Sequence, residues 1–140
     1  MKTLSVLAFS LLCVAGVAFG SASKPVKGKH PARIAQGSEV ALADHAVPGK
    51  ITIFDFTSDF CPPCRMIAPM LDALHEKRDD LAVVAIDINR PDVKGIDWKS
   101  PVARQYELRS IPHFKIFDAK GKMIAEGDAA REMVMGWLGE

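Results

Sequence analysis

The chain has 140 residues, 49% of them hydrophobic, and carries 18 basic against 17 acidic side chains. That balance excludes a basic field for nucleic acid and a polybasic membrane patch. The length suits one compact domain with its own core.

Met1–Lys2 gives a short positive start, Leu4 to Phe19 is apolar or small throughout, and Ala18-Phe19-Gly20 closes the run with small residues at alternate positions. This is the layout of a secretory signal over residues 1–20, cleaved near 20–23. The reading places the protein outside the cytosol, in a bacterial periplasm. An uncleaved membrane anchor is the alternative, although sixteen residues fall short of the roughly 20 a helical span needs. Cleavage would remove only Lys2 among the charges and leave 17 basic against 17 acidic residues. It would also remove Cys13, so the remaining domain holds two cysteines, Cys61 and Cys64. A disulfide that closes so small a loop staples little, and the pair therefore reads as chemistry rather than scaffold.

Residues 21–32, rich in Lys, Gly, Pro and Ser, read as a flexible leader. Glu39–Ala43 is a candidate short strand, and Val47-Pro48-Gly49-Lys50 is turn chemistry. Ile51–Phe56 is β-branched and aromatic, a buried strand. After the cysteines, Met66, Ile67, Met70, Leu71 and Leu74 share one helical face, and Asp72, His75, Glu76 and Asp79 occupy the other. Pro69 lies inside that helix and should bend it. Leu81–Ile88 is a second buried strand and Arg90–Lys99 a loop. Ser100-Pro101 starts a short helix to about Tyr106. His113–Phe117 and Lys122–Glu126 form a hairpin about the Asp118–Gly121 turn. Asp128 is placed to cap a last helix ending near Leu138. A strand–helix–strand start implies a parallel pair with a right-handed crossover, and the closing hairpin adds antiparallel strands. The fold class expected is α/β, a mixed central sheet with helices on both faces.

Cys61 follows a buried strand and opens a helix, where free N–H groups and the positive end of the helix dipole stabilise a thiolate. Pro62 and Pro63 cost little in a first turn, whose N–H groups have no helical partner, and they stiffen it. Cys61 is thus expected to be the exposed attacking sulfur, and Cys64, one turn inside, the one that resolves a mixed disulfide. His30, His45 and His75 show no ligand spacing and read as surface residues. Met66, Met70, Met133 and Met135 read as core or helix-face residues.

The segment Phe54-Asp-Phe-Thr-Ser-Asp-Phe-Cys-Pro-Pro-Cys-Arg-Met-Ile-Ala-Pro-Met-Leu71 resembles the active-site segment of the thioredoxin superfamily, including its exported members, and Ser110-Ile-Pro-His-Phe114 resembles the family's second signature. The resemblance covers most of residues 33–140 and implies a thioredoxin-like domain there. It implies a thiol–disulfide oxidoreductase that works through a reversible Cys61–Cys64 disulfide, with no metal and no bound cofactor. Asp55 matches the buried carboxylate that exchanges a proton with the Cys64 position. Ile111 and Pro112 match the cis-proline loop that docks substrate, Gly127 a glycine near the same surface, and Phe60, Pro62 and Pro63 the substrate-facing residues of the motif. The implied partners are protein disulfides and a separate thiol electron donor, membrane-bound in one version, acting on a monomer.

Four residues depart from the family pattern. Phe60 and Thr57 stand where tryptophans are common, Ala85 where a buried lysine often faces the aspartate, and His113 where threonine is usual. Ile111 and the Pro-Pro pair resemble the reducing branch, so electron delivery to exported disulfides is the leading expectation. The alternatives are a disulfide oxidant or isomerase, and a Cu(I) chaperone using Cys61, Cys64 and His113.

Overall fold

The computed structural model describes residues 23–140; the signal peptide expected over residues 1–20 lies outside them. Five strands form one mixed sheet: β1 (Ala32–Ile34), β2 (Ile51–Thr57), β3 (Leu81–Asp87), β4 (His113–Phe117) and β5 (Met123–Glu126), in spatial order β1-β3-β2-β4-β5. β1, β3 and β2 run parallel, while β4 pairs antiparallel with β2 and β5 antiparallel with β4. Helix α1 (Pro62–Lys77) makes the crossover between β2 and β3, α2 (Pro101–Gln105) follows the long loop, and α3 (Gly127–Leu138) ends the chain.

Alternation along the central strands decides which layer covers each face. Phe54, Phe56, Val84, Ile86 and Ile88 meet Val102 and Ala103 of α2 on one side. Ile53, Val83, Phe114 and Ile116 meet Leu71 and Leu74 of α1 and Ala130 and Val134 of α3 on the other. Each fully buried large apolar side chain contributes roughly 1.5–3 kcal/mol, and both faces are needed for a domain this small. α1 runs on through Pro69 to Lys77.

Three expectations are corrected. Glu39–Ala43 is not a strand; a single 3-10 turn, Leu42–His45, lies there instead. The Val40 backbone is taken by side chains from α2 and its C-cap: its N–H donates to Gln105 Oε1, and its carbonyl accepts from Gln105 Nε2 and the Tyr106 hydroxyl. A strand would need those groups for a ladder. The parallel edge is formed by β1 instead, whose Ala32-Arg33-Ile34 has too little alternation to advertise itself. Asp128 does not cap α3: Glu126 occupies the cap position without a side-chain hydrogen bond, and Asp128 sits in the first turn.

His75 is not on the surface; it is 2% exposed. β1 covers only Val84–Ile86 of β3, so the Val83 amide lies beyond its end, and His75 Nδ1 accepts that N–H at 2.9 Å. Nε2 therefore carries the ring proton and donates to the Gly28 carbonyl at 3.0 Å. With the Lys27 ammonium on the Arg78 carbonyl and His30 beside Glu76 at 2.9 Å, Lys27–His30 is held along α1. Replacing His75 by Leu should orphan the Val83 amide and cost about 1–3 kcal/mol in urea unfolding. His30→Ala, at an exposed ion pair, should change stability by less than about 0.5 kcal/mol.

Candidate active site

β2 delivers the chain to the end of the sheet, where Ser58–Phe60 turn it into α1. The Cys61 N–H donates to the Ser58 carbonyl at 3.1 Å, and Cys61 becomes the N-cap of α1, with Pro62 at the first helical position. Its Sγ accepts the Cys64 backbone N–H at 3.2 Å, a bond that also favours an anionic sulfur at this position. Cys61 and Cys64 are joined, S–S 2.11 Å, with 5.3 Å between their Cα atoms.

The expectation of an exposed Cys61 does not hold for the disulfide, in which Cys61 is 1% and Cys64 0% exposed. The Cys61 Sγ is tucked 3.7 Å from the Ile111 carbonyl, on the loop whose Ile111–Pro112 bond is cis. Exposure belongs to the rim: Phe60 is 47% and Met66 77% exposed. Pro63, Met66, Met70, Ile111, Pro112 and Met135 line a groove of about 480 Å³ beside the pair.

Asp55 sits two residues before the end of β2, on the face that α1 covers, between Ala85 of β3 and Phe114 of β4 in register. It is 3% exposed, and its Oδ1 has no hydrogen-bond partner among the described residues. Burial pushes its carboxyl up to about 7, against a smaller opposing pull from Arg33. Cys64 is buried on α1 over the same side of the sheet.

A match to the thioredoxin family model extends over residues 39–137. The chain belongs to the thioredoxin family. It is 34% identical over 82 residues to the chloroplastic thioredoxin F1 of Arabidopsis thaliana, covering 59% of this chain and 42% of that protein. Among solved structures it is similar to a point-mutant thioredoxin from Halobacterium salinarum NRC-1, at 25% identity and TM-score 0.55, over 85% of this chain and 96% of that one. It also resembles thioredoxin f2 in complex with ferredoxin:thioredoxin reductase, at 24% identity and TM-score 0.55, over 79% and 94%. The second likeness speaks for the thioredoxin fold. The family consists of thiol–disulfide oxidoreductases that use their own redox-active disulfide rather than an external cofactor, act on protein disulfides, and are reduced by a separate partner.

Within this thioredoxin frame, Ile111 and Pro112 lie against the disulfide, which Phe60, Pro62 and Pro63 adjoin in the chain, while Asp55 lies on the face of β2 that α1 covers. Gly127 lies farther along the same edge; its φ of 61° calls for glycine, and an added Cβ would stand 3.9 Å from the His113 ring. His113 turns to the opposite face of the sheet from Asp55. It pairs with Phe56, its ring 5.7 Å from the phenyl, and burial holds its titration below the usual histidine value. Among the described residues no three His, Cys, Asp or Glu side chains are grouped to hold a metal ion.

Two features carried no signal in the sequence. The Ser58 hydroxyl donates to Asn89 Oδ1 at 2.6 Å, and Asn89 in turn binds the Gly95 carbonyl, so the active-site turn is tied to the long loop. That loop is closed by a bidentate Arg90–Asp97 pair. Arg33 of β1 holds both Asp59 and Asp87 at 2.9 Å. Partners this far apart in sequence leave no periodic trace.

The buried carboxyl has a thermodynamic consequence. Unfolded Asp55 titrates near 3.8 and folded Asp55 near 7, so the folded state holds the proton more tightly. Stability is then fullest below about pH 4 and declines as pH climbs through about 7. At about 1.36 kcal/mol per pH unit the gap amounts to roughly 4 kcal/mol. Asp55→Asn should flatten this decline and unfold at higher urea than the parent at pH 8, by roughly 2–4 kcal/mol. Urea titrations at pH 5 and pH 8 measure it.

Proposed function

We propose that this chain is an exported thiol–disulfide oxidoreductase that delivers electrons to the disulfides of other exported proteins. The observation that carries the reading is the pairing of a disulfide at a helix N-terminus with a buried carboxyl on the same side of the sheet whose Oδ1 has no hydrogen-bond partner among the described residues. In the reduced form the Cys61 thiolate, held by the Cys64 amide and the α1 N-terminus, attacks one sulfur of a substrate disulfide. A mixed disulfide forms and one substrate thiolate leaves. Ionised Asp55 takes the proton from the Cys64 thiol. The Cys64 thiolate then attacks Cys61 Sγ, closing the Cys61–Cys64 bond and releasing the second substrate thiolate. Two electrons pass from the dithiol to the substrate. Backbone pairing along the Ile111–Pro112 edge supplies the docking, with Phe60, Pro62, Pro63 and Gly127 around it.

An oxidising compartment would leave the pair as a disulfide, and the sequence holds no second Cys-x-x-Cys to reduce it. A separate thiol donor, membrane-bound, completes the cycle in this proposal. Residues 1–20 act as the export signal, residues 21–32 as the lead-in and 33–140 as the working domain. The mass of the exported chain reads the cleavage site: loss of the first 20–23 residues supports export with processing, and an intact leader supports a membrane tether.

Cys64→Ser should accumulate mixed disulfides with substrate proteins, whereas Cys61→Ser should not. Equal trapping by both variants would remove the asymmetry on which the mechanism stands. The equilibrium potential of the pair separates directions of flow. A value near about −270 mV supports electron delivery, and one near about −120 mV supports a disulfide oxidant.

A further inference from the structure

β1, β3 and β2 lie side by side in parallel register, and the pairing sets Arg33 opposite Ala85 and Ala85 opposite Asp55. Registered neighbours project to the same face of a sheet. Arg33 and Asp55 therefore stand two strand spacings apart, roughly 10 Å between backbones, with only the Ala85 methyl between them. An arginine side chain spans most of that gap. Its guanidinium is held in place by Asp87, two residues beyond Ala85 on the same face, through Nε at 3.1 Å and Nη2 at 2.9 Å. The same Nη2 reaches Asp59, two residues before Cys61, at 2.9 Å.

We propose that Arg33 is a positioning residue for the exchange reaction: it is the counter-charge that faces Asp55 across Ala85, and it is anchored there by the Asp59 turn that leads into Cys61. This rests on Asp55 being the base of the reaction. The charged and titratable groups around the carboxyl on this face are few. β1 offers Arg33, β3 offers Asp87, the turn after β2 offers Asp59, α1 offers Cys61 and Cys64 and, farther along, His75 at the Val83 amide, and α3 offers Arg131 at the groove beside Phe114. β4 contributes Phe114, while His113 and Lys115 of that strand register with Phe56 and Phe54 and project to the other side. Of the cations, Arg33 is the one in register with the carboxyl and the one whose charge acts on it. It favours ionised Asp55, the form able to take the Cys64 proton, while burial opposes it. Its two anionic partners share its charge and temper the effect.

The probe is 5,5′-dithiobis(2-nitrobenzoate) in single turnover with the reduced full-length domain, from pH 5 to 9. The first thionitrobenzoate released reports attack by Cys61, and the second reports attack by Cys64 on the mixed disulfide. The second phase should rise with pH about a midpoint near 7, and Asp55→Asn should lose that limb. Arg33→Gln should move the midpoint up by roughly half to one pH unit, and Arg33→Lys should restore it. Asp59→Asn, at a residue side chain that is 78% exposed, keeps the fold should Arg33→Gln lose it. By freeing the guanidinium of one anion it should move the midpoint down.

Retention of the limb in Asp55→Asn would overturn the base itself. Loss of the limb in Asp55→Asn, with an unmoved midpoint in Arg33→Gln or Asp59→Asn, would overturn the Arg33 proposal alone. A uniform slowing at every pH in Arg33→Gln, midpoint unchanged, would make Arg33 a simple staple and have the same effect.

Discussion

The parallel pairing of β2 with β3, from Ile51 opposite Leu81 to Thr57 opposite Asp87, is the constraint from which the site follows. Parallel strands cannot be joined by a tight turn, so the chain must cross over one face. The crossover is α1, and its N-terminus must begin where β2 ends. Cys61 consequently receives the free N–H groups of a helix start, while Cys64 is carried one turn inward. The same pairing buries the middle of β2 on both faces, so any polar residue there is desolvated. Asp55 is that residue. A reactive sulfur and a buried acid are thus brought to one place by the connection rule for two strands.

Around this centre the sheet is asymmetric. On the β4 side Asp55 meets Phe114, which packs in the apolar layer with α1 and α3. On the β3 side it meets Ala85, and beyond that methyl lies an ionic network of Arg33, Asp59 and Asp87. Burial raises the carboxyl and the cation restrains the rise, so the group titrates within the range where a proton acceptor for a thiol is useful. The Ser58–Asn89 bond gives the same turn a second brace, from the long loop.

Where the determinants are local, the sequence was legible. Ile51–Phe56 and Leu81–Ile88 are β-branched and apolar apart from one aspartate each, Asp55 and Asp87, and both strands lie within a residue or so of their expected bounds. The Pro-Pro turn and the apolar face of α1 declare a helix start from adjacent residues alone. The failures share a cause in long-range partners. Val40 is kept from a strand by Gln105 and Tyr106. His75 belongs to the polar face by spacing, yet it is buried, its two ring nitrogens taken by the Val83 amide that β1 leaves free and by the Gly28 carbonyl. Arg33 carries no local signal at all, and only strand register sets it across Ala85 from Asp55. Cys61 was expected in solvent from its place at a helix end, and the Ile111 loop, fifty residues on, is what covers it.

The clamp of Lys27–His30 against α1 also sets a direction. His75 and Arg78 stand at the far end of a helix that is roughly 24 Å long, and Ser23, Lys24 and Pro25 line a hollow with Pro48 and Lys120. Those last two belong to the turn before β2 and to the β4–β5 turn, at the end of the sheet opposite Cys61. The polypeptide therefore enters the domain from its base. Whatever is joined to that entry, the domain presents its disulfide away from the attachment, as a lamp faces away from its stand.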